Sequence, residues 1–219
     1  MKKFDAIAFD IDGTLYPNYR FYLRIMPCSV AHIPLLFAFR KMRKIMRSVS
    51  YTEDFYDAQA RVTAEILRKD PAAVKRQIDT CIYKLWQPHF QGLKPYRGVR
   101  ETIEAFRRNG YKTAVLSDFP VGDKLEGMQL HGIWDVELCS EQIGQMKPAL
   151  KPFQRLADEL GCPPERILYV GNSVSFDICG AKNAGMSAAL IRRRFSFSGT
   201  GGADFVFRDY RQLEQFVLG

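Results

Sequence analysis

The chain lacks the cysteine patterns that build disulfide frameworks or structural zinc sites. Its 219 residues include 5 Cys, scattered and without a C-x-x-C pair, at positions Cys28, Cys81, Cys139, Cys162 and Cys179. An odd number of scattered cysteines fits a reducing compartment. No secretory signal pattern is visible either, because Met1-Lys2-Lys3 leads directly into a short strand-like run. We therefore expect a cytoplasmic protein.

Acidic residues are missing from one long segment near the amino end. Between positions 18 and 50 there is no Asp or Glu but there are seven basic residues, namely Arg20, Arg24, Arg40, Lys41, Arg43, Lys44 and Arg47. The formal net charge of the whole chain is +8, so the remainder is nearly balanced. Because the excess charge belongs to one segment, it is weak evidence for a nucleic-acid binder, and we expect no nucleic-acid partner.

A long hydrophobic run is also absent. The longest apolar stretch, 25–39, is shorter than a membrane span and contains two prolines and a histidine, so we do not expect a transmembrane helix. Three interpretations of the basic, apolar segment 18–50 stay open. It is a lid that attracts an anionic substrate, a surface that lies on anionic lipid, or a helix pair whose apolar face packs internally or against a second subunit.

What the chain does contain is a regular alternation of short apolar runs and amphipathic helical patterns. Apolar residues make up 47% of it, enough for a sizeable core. The runs that we predict to be buried strands are 4–9, 113–116, Val136–Cys139, 167–170, 188–191 and Phe205–Phe207. Strands separated by helices imply right-handed crossovers and a parallel sheet covered on both faces. The predicted fold class is therefore α/β, with a Rossmann-like parallel sheet core and helices on both faces.

One interval breaks the alternation. From 16 to 95 no convincing strand is found, whereas Phe55, Gln59, Val62 and Ile66 share a helical face. Asp70-Pro71 has the pattern of a helix N-cap followed by proline at the first helical position. We therefore predict an α/β core formed by 1–15 and 96–219, and a mostly α-helical cap domain formed by 16–95, which lies above the carboxyl ends of the strands.

Two carboxylates follow the first predicted strand. Asp10 and Asp12 are two residues apart and precede Gly13 and Thr14. Two carboxylates crowd together cheaply only where a cation or a shared proton relieves their repulsion. A divalent metal does this, and Gly13 permits a tight turn in which main-chain amides approach a phosphoryl group. The alternative is a polar turn that only closes a strand, because Asp and Gly are frequent in turns.

A family resemblance adds to this pattern. Four stretches, in order, resemble the four motifs of the haloacid dehalogenase superfamily: Phe9-Asp10-Ile11-Asp12-Gly13-Thr14, Ser117 after its strand, Lys147-Pro148, and Gly171-Asn172-Ser173 through Asp177 to Gly185. Each stands at the end of a predicted strand or the start of a helix, and the interval 16–95 stands where that family places its helical cap. One such motif is modest evidence, but four in order are strong evidence.

The resemblance implies roles for particular residues. Asp10 attacks the phosphoryl group and forms an aspartyl-phosphate, and Asp12 is the general acid and base. Ser117 donates a hydrogen bond to a phosphoryl oxygen, and Lys147 neutralises charge. The implied ligand is a small phosphorylated metabolite and the implied cofactor is Mg²⁺. The candidate substrate-binding residues are Gly13, Thr14, Ser117, Asp118 and Lys147. The candidate metal-site residues are Asp10, Asp12, Asn172 and Asp177.

The sequence departs from the family pattern at Asn172, where many family phosphatases have Asp. An amide oxygen can ligate Mg²⁺, but the site loses one negative charge. Asp177 compensates directly, through water, or by holding Lys147. The expected function is Mg²⁺-dependent hydrolysis of a phosphomonoester, because Asp12 suits an oxygen leaving group rather than a halide. Two alternatives stay open: a phosphomutase, and a catalytically weak protein that binds a partner or anionic membrane through 18–50.

Overall fold

The sheet places the chemistry of the chain at one edge. The computed structural model describes residues 2–49, 51–192 and 199–219. Within these residues a six-stranded, all-parallel sheet has the order β3-β2-β1-β4-β5-β6. The strands are β1 Ala6–Phe9, β2 Lys112–Ser117, β3 Val136–Cys139, β4 Ile167–Gly171, β5 Ser187–Ile191 and β6 Phe205–Phe207. All six predicted strands are confirmed, with ends shifted by at most two residues.

Helices separate and follow these strands. The α-helices are α1 Asn18–Ser29, α2 Ile33–Met46, α3 Phe55–Leu67, α4 Pro71–Ile78, α5 Val99–Arg108, α6 Gly122–Gly127, α7 Ser140–Ile143, α8 Leu150–Leu160, α9 Cys179–Asn183 and α10 Tyr210–Leu218. Short 3₁₀ turns lie at Val30–His32, Gln87–Phe90 and Pro164–Arg166, and π-helical turns at Asp79–Lys84 and Val174–Ile178. Asp70 caps α4 as predicted, because its carboxylate accepts the N–H of Ala73.

Successive side chains of the central strands point to opposite faces of the sheet, which explains why both faces are covered. Ile7 and Phe9 of β1 point into one apolar cluster, with α5 and α10, while Ala6 and Ala8 point into another, with α8 and α9. Successive side chains of a strand point to opposite faces, so a strand that is apolar throughout requires two covering layers. The predicted α/β class with helices on both faces is therefore confirmed.

The order of the strands creates a crevice beside β1. The chain leaves β1 for β2 on one side and returns to β4 on the other. Ligands of open α/β sheets bind at such a point, outside the carboxyl ends of the strands. Asp10 directly follows β1, Ser117 ends β2, and Asn172 directly follows β4.

Helices fill the interval between β1 and α5. No strand occurs in the described residues from 18 to 98. Helices α2, α3 and α4 share an apolar cluster that includes Met42, Val62 and Val74 and that Met146 joins from the other part of the chain. Helix α1 packs differently, because Phe21 and Ile25 join the cluster that contains β1. The division into a core and a cap at 16–95 stays a prediction, with α1 as the element that joins the two.

One helical stretch among the described residues, Asn18–Met46, is long and apolar enough to cross a membrane by length and composition. This helical stretch is longer than the apolar run 25–39, because the helical path continues past Pro27 and past Pro34, which lies at the start of α2. In its most apolar window 28% of the residues are buried, so most of that window is at least partly exposed. The inner face packs against the domain through Phe21 and Ile25.

Candidate functional site

The centre of the site is a buried ion pair between Asp10 and Lys147. The ammonium Nζ of Lys147 lies 2.7 Å from Asp10 Oδ1, and only 2% of the lysine is exposed. Thr14 donates its hydroxyl to the other carboxylate oxygen of Asp10 at 2.7 Å. Burial raises the pKa of Asp10 to about 7, the charge of Asp177 acts in the same direction, and Lys147 opposes both. The carboxylate of Asp10 is thus held in one orientation at the end of β1.

Asp177 holds Lys147 from the opposite side. Its Oδ1 lies 2.7 Å from Lys147 Nζ, while its Oδ2 accepts the main-chain N–H groups of Asn172 and Ser173 at 3.1 and 2.9 Å. Gly171 makes this approach possible, because a Cβ there would lie 2.3 Å from Cβ of Asp177. Of the three roles foreseen for Asp177, holding Lys147 is the one that these contacts describe. Direct metal ligation by Asp177 stays a prediction.

Asp12 lies in a separate network of donors. Its Oδ1 accepts the hydroxyl of Tyr16, and its Oδ2 accepts Ser117 at 3.2 Å and Lys124 at a shorter distance. Burial raises the pKa of Asp12, but the positive charge of Lys124 and the three hydrogen bonds outweigh it and hold that pKa below its ordinary value. Ser117 is fully buried. The structure therefore places Ser117, which ends β2, beside Asp12, which follows β1. The carboxyl ends of these two strands lie together, as predicted.

Asn172 faces oxygen atoms at the inner end of its amide. With nitrogen there, the amide donates to Asp10 Oδ2 at 3.3 Å and to the main-chain oxygen of Asp12 at 3.2 Å. If the amide oxygen lies at this inner end instead, it accepts the hydroxyl of Thr14 at 3.3 Å. The amide oxygen, Asp10 Oδ2 and the main-chain oxygen of Asp12 then converge. Converging oxygens repel unless a cation lies between them. Gly13, whose φ is 90°, lets the turn approach Asn172 closely, since a Cβ there would lie 2.3 Å from the Asn172 amide nitrogen.

This donor set fits Mg²⁺ better than a softer metal. Among residues 2–49, 51–192 and 199–219, no group of three His, Cys, Asp or Glu side chains is arranged to hold a metal. The converging atoms are instead one carboxylate oxygen, one main-chain carbonyl and one amide. Mg²⁺ takes few protein oxygens and completes its shell with water and phosphate, so this mixed set matches its chemistry.

Asp118 contacts the helices that precede the core rather than the other site residues. Its Oδ2 lies 3.4 Å from Arg43 on α2 and 2.5 Å from Arg47, the residue that follows α2. Its Oδ1 accepts the hydroxyl of Ser140 at 2.6 Å and the N–H of Lys147 at 3.1 Å. Burial raises the pKa of Asp118, but Arg47, Lys147 and Arg43 outweigh it and hold that pKa well below its usual range. The carboxylate joins α2 to the sheet, and its substrate-binding role stays a prediction.

The structure brings seven of the predicted site residues to one place and adds two that sequence reasoning missed. Asp10, Asp12, Gly13, Thr14, Ser117, Lys147 and Asn172 surround the end of β1, with Asp177 behind Lys147. The additions are Tyr16 and Lys124, both of which hold Asp12. Lys124 is 2% exposed although it lies in a polar stretch. No motif signals it, because its partner is far away in the chain.

Comparison with known proteins gives a consistent result. A family model described as haloacid dehalogenase-like hydrolase matches residues 4–185. The chain is 31% identical over 206 residues to the glyceraldehyde 3-phosphate phosphatase of Methanopyrus kandleri, covering 86% of this chain and 84% of the relative. It is 29% identical over 196 residues to the phosphatase of the same name from Methanothermobacter thermautotrophicus, covering 85% and 84%. It is also 29% identical over 133 residues to the pyrophosphatase PpaX of Halalkalibacterium halodurans, covering 59% and 61%.

Solved structures share the fold at lower identity. The magnesium-bound putative HAD-hydrolase YfnB from Bacillus subtilis superposes with a TM-score of 0.74 at 14% identity, covering 99% of both chains. The L-2-haloacid dehalogenase from Xanthobacter autotrophicus superposes with a TM-score of 0.70 at 18% identity, also covering 99% of both. These likenesses concern the fold, including the helices between β1 and α5, and carry nothing about the reaction of this chain.

Proposed function

The chain belongs to the haloacid dehalogenase-like hydrolases, and from that premise we propose that it is a Mg²⁺-dependent phosphatase that hydrolyses a phosphomonoester through an aspartyl-phosphate. The observation that carries the proposal is the pairing of Asp10 with Lys147 beside a second carboxylate, Asp12. A nucleophile, a counter-charge and an acid–base group at one strand end are what phosphoryl transfer requires. Relatives are named as phosphatases of small phosphorylated compounds, which supports the same reaction class.

The residues divide the reaction into two displacements. In the first, a carboxylate oxygen of Asp10 forms a bond to phosphorus while the bond from phosphorus to the ester oxygen breaks and that oxygen takes a proton. In the second, water attacks the aspartyl-phosphate, Asp12 accepts its proton, and Asp10 is released with inorganic phosphate. The lowered pKa of Asp12 suits the second step. In the first step Asp12 supplies the proton that the leaving oxygen takes, and Lys124 and Ser117 hold its carboxyl group in place.

Asp10, the main-chain oxygen of Asp12 and the amide oxygen of Asn172 would hold Mg²⁺. When bound, the ion supplies positive charge against the phosphoryl oxygens. Asp177 supports Lys147 from behind. We propose 16–95 as the cap, since Arg43 of α2 and Arg47, which follows α2, pair with Glu141 and Asp118 beside the carboxyl edge of the sheet. A dehalogenase reaction is disfavoured because a halide needs no proton from Asp12. A phosphomutase would use the same residues, and product analysis separates it: a mutase yields an isomeric ester, whereas a phosphatase yields inorganic phosphate.

A direct assay tests the proposal. Purified protein is incubated with a generic aryl phosphate in Mg²⁺ and, separately, in a chelator, and inorganic phosphate is measured. Release of phosphate that requires Mg²⁺ is expected. Absence of turnover in Mg²⁺ would instead favour the catalytically weak alternative.

The Asn172→Asp substitution is expected to strengthen Mg²⁺ binding. It restores a negative charge at the inner end of the amide, where Asn172 faces the oxygens of Asp10 and Asp12. The Mg²⁺ concentration at half-maximal activity should fall by about 10-fold, because affinity follows the charge of the ligands. The same shift should appear in a titration of thermal stability with Mg²⁺. Asn183→Asp, at an exposed position on α9, is the matched control, and an unchanged requirement in Asn172→Asp would contradict the assignment.

A further inference from the structure

A large cavity opens on Asp12 between α1, α2 and the carboxyl edge of the sheet. Its volume is about 1270 Å³, whereas sites for drug-sized ligands have about 300–1000 Å³. Nine of its lining side chains are aromatic, and seven of these come from the helices before α5 and from the loop after β2: Phe21, Tyr22, Phe39, Tyr83, Trp86, Phe90 and Phe119. A phosphoryl group with two or three carbons would leave most of this apolar surface in contact with water.

From the volume and the lining we propose that the substrate is a phosphomonoester of a bulky, largely apolar alcohol. The inference rests on the proposed phosphatase function and adds the class of the leaving group. The phosphoryl end lies against Asp10 and Asp12, and the apolar end fills the aromatic space, where burial of carbon out of water stabilises the complex. The exposed cations Arg40 and Lys44 stand at the rim of the cavity and attract the anionic substrate.

A series of primary alkyl phosphates tests this class. Ethyl, butyl, hexyl and octyl phosphate differ only in apolar length, so kcat/KM is expected to rise by about fourfold for each methylene that becomes buried. The variant Leu36→Asn places an amide in the cavity lining. It should lose more kcat/KM on octyl than on ethyl phosphate. Leu150→Asn, at an exposed position of α8, is the control, and its kcat/KM should rise with alkyl chain length as in the original chain.

The outcomes separate this inference from the function on which it rests. A value of kcat/KM that is flat or falls with chain length, with ethyl phosphate hydrolysed, overturns the apolar leaving group and leaves the phosphatase intact. Absence of phosphate release from every alkyl and aryl phosphate overturns both. A rise with chain length that Leu36→Asn flattens supports both.

A second inference comes from the opposite side of the same helices. Twelve large apolar side chains are exposed among the described residues, and eight of them lie between 19 and 49. Six of them lie outside the lining of the large cavity and recur at intervals of three or four residues through α1, the 3₁₀ turn and α2: Tyr19, Leu23, Met26, Val30, Ile33 and Phe37. This set is the outer stripe. Leu23 is 61% and Phe37 69% exposed, which is unusual for one contiguous face of a protein in water.

Cations continue the outer stripe at its carboxyl end. Arg40, Lys41 and Lys44 are exposed, and none of them forms an ion pair within the part of the chain that the structure describes. Arg40 and Lys44 also line the cavity, whereas Lys41 does not. No acidic residue occurs between 18 and 50. A symmetric contact with a second copy would bring these like charges into one interface, which costs free energy. An anionic surface pairs with them instead.

We infer that the outer stripe lies on an anionic membrane surface, with its apolar side chains in the headgroup region and Lys41 against lipid phosphates. Helices that combine an apolar face, tyrosines and cations bind membranes in this way. The inner face of the same helices stays packed on the domain, because Phe21 and Ile25 are buried and Arg24 donates to the main-chain oxygens of His89, Gln91 and Gly92. The stretch Asn18–Met46 therefore lies along the surface of the bilayer.

Vesicle co-sedimentation tests the contact. The full chain is mixed with vesicles of phosphatidylcholine alone, or of phosphatidylcholine with phosphatidylserine, at low and high NaCl. Binding is expected only with phosphatidylserine and is expected to weaken in salt. The double variant Phe37→Ser/Lys41→Gln should bind at least about 50-fold more weakly, about fivefold from the cation and tenfold from the ring. The matched control is Leu150→Ser/Lys151→Gln, an exposed apolar and basic pair on α8.

Three results would overturn the inference. One is equal binding to both kinds of vesicle, and another is no binding to either. The third is a dimer, detected by sedimentation velocity, that Phe37→Ser/Lys41→Gln converts to a monomer, because a second copy would then cover the outer stripe. The aryl phosphatase assay is independent of all three.

Discussion

The Asp10→Asn protein is expected to release phosphate from an aryl phosphate at least about 10³-fold more slowly than the original chain. An amide lacks the nucleophilic oxygen that forms the aspartyl-phosphate, while its size and its position beside Thr14 and Lys147 stay nearly the same. The measurement is the steady-state rate at saturating Mg²⁺. Asp158→Asn, at an exposed position of α8, is the control and should keep full activity.

Stability distinguishes loss of the nucleophile from loss of the fold. Burial raises the pKa of Asp10 to about 7 from an ordinary value of 3.8. The folded state therefore binds more protons than the unfolded state between these values, and its stability falls as pH rises from about 4 to 7. The Asp10→Asn protein has no carboxyl group at this position, so its stability does not fall in this way. Without metal it should melt at the same or a higher temperature than the original chain at pH 8, and Mg²⁺ should stabilise it less. Undiminished turnover would show that Asp10 is not the nucleophile.

Local patterns were enough to predict the strands and the ends at which chemistry lies. Each strand is a short apolar run, and both faces of the sheet are buried, so no alternation of polarity was needed to find it. Asp10 and Ser117 directly follow or end such runs, which fixes them at the carboxyl edge once the sheet is parallel. The fold class and the meeting of these residues therefore follow from patterns within a few positions of each one.

Contacts between distant elements could not be predicted in this way. Lys124 meets Asp12 because α6 turns back over the end of β1, and nothing near Lys124 in the sequence indicates this. Arg43 and Arg47 belong to a run of basic residues that resembles a solvated face. They are instead mostly buried against Asp118 and Glu141. The sequence also shows that 18–50 is amphipathic without showing which face is covered, because that depends on how α1 packs on the core.

Replacing Lys147 by methionine is expected to have the largest combined effect on activity and stability. Its ammonium lies 2.7 Å from a carboxylate oxygen of Asp10 and 2.7 Å from one of Asp177, and it also donates to the hydroxyl of Tyr169 at 3.1 Å. Removing a buried cation leaves two buried carboxylates without a counter-charge, at a cost of about 3–5 kcal/mol. For a domain of this size that lowers the melting temperature by about 10 °C. Turnover should fall by about 10³-fold, because the charge against the phosphoryl group is lost.

The control for Lys147→Met is Lys182→Met. Lys182 pairs with Asp204 at 2.9 Å, but 37% of its side chain is exposed, so its loss should cost less than about 1 kcal/mol. The dependence on pH follows from the carboxylates. Lys147 lowers the pKa of Asp10, so without it that pKa rises, the folded state binds an extra proton, and the stability deficit grows as pH increases through the weakly acid range. The deficit should therefore be larger at pH 8 than at pH 5.

Combining Lys147→Met with Asp177→Asn separates the two effects of the lysine. The second substitution removes one of the unpaired charges, so it should recover part of the lost stability, and the two changes should be non-additive because the groups are in contact. Activity should not recover, since the counter-charge beside Asp10 is still missing. If the double variant regained turnover, Lys147 would be only a structural partner of Asp177. If Lys147→Met melted like the original chain, the buried carboxylates would not depend on it, and the central ion pair would lose its role in both stability and catalysis.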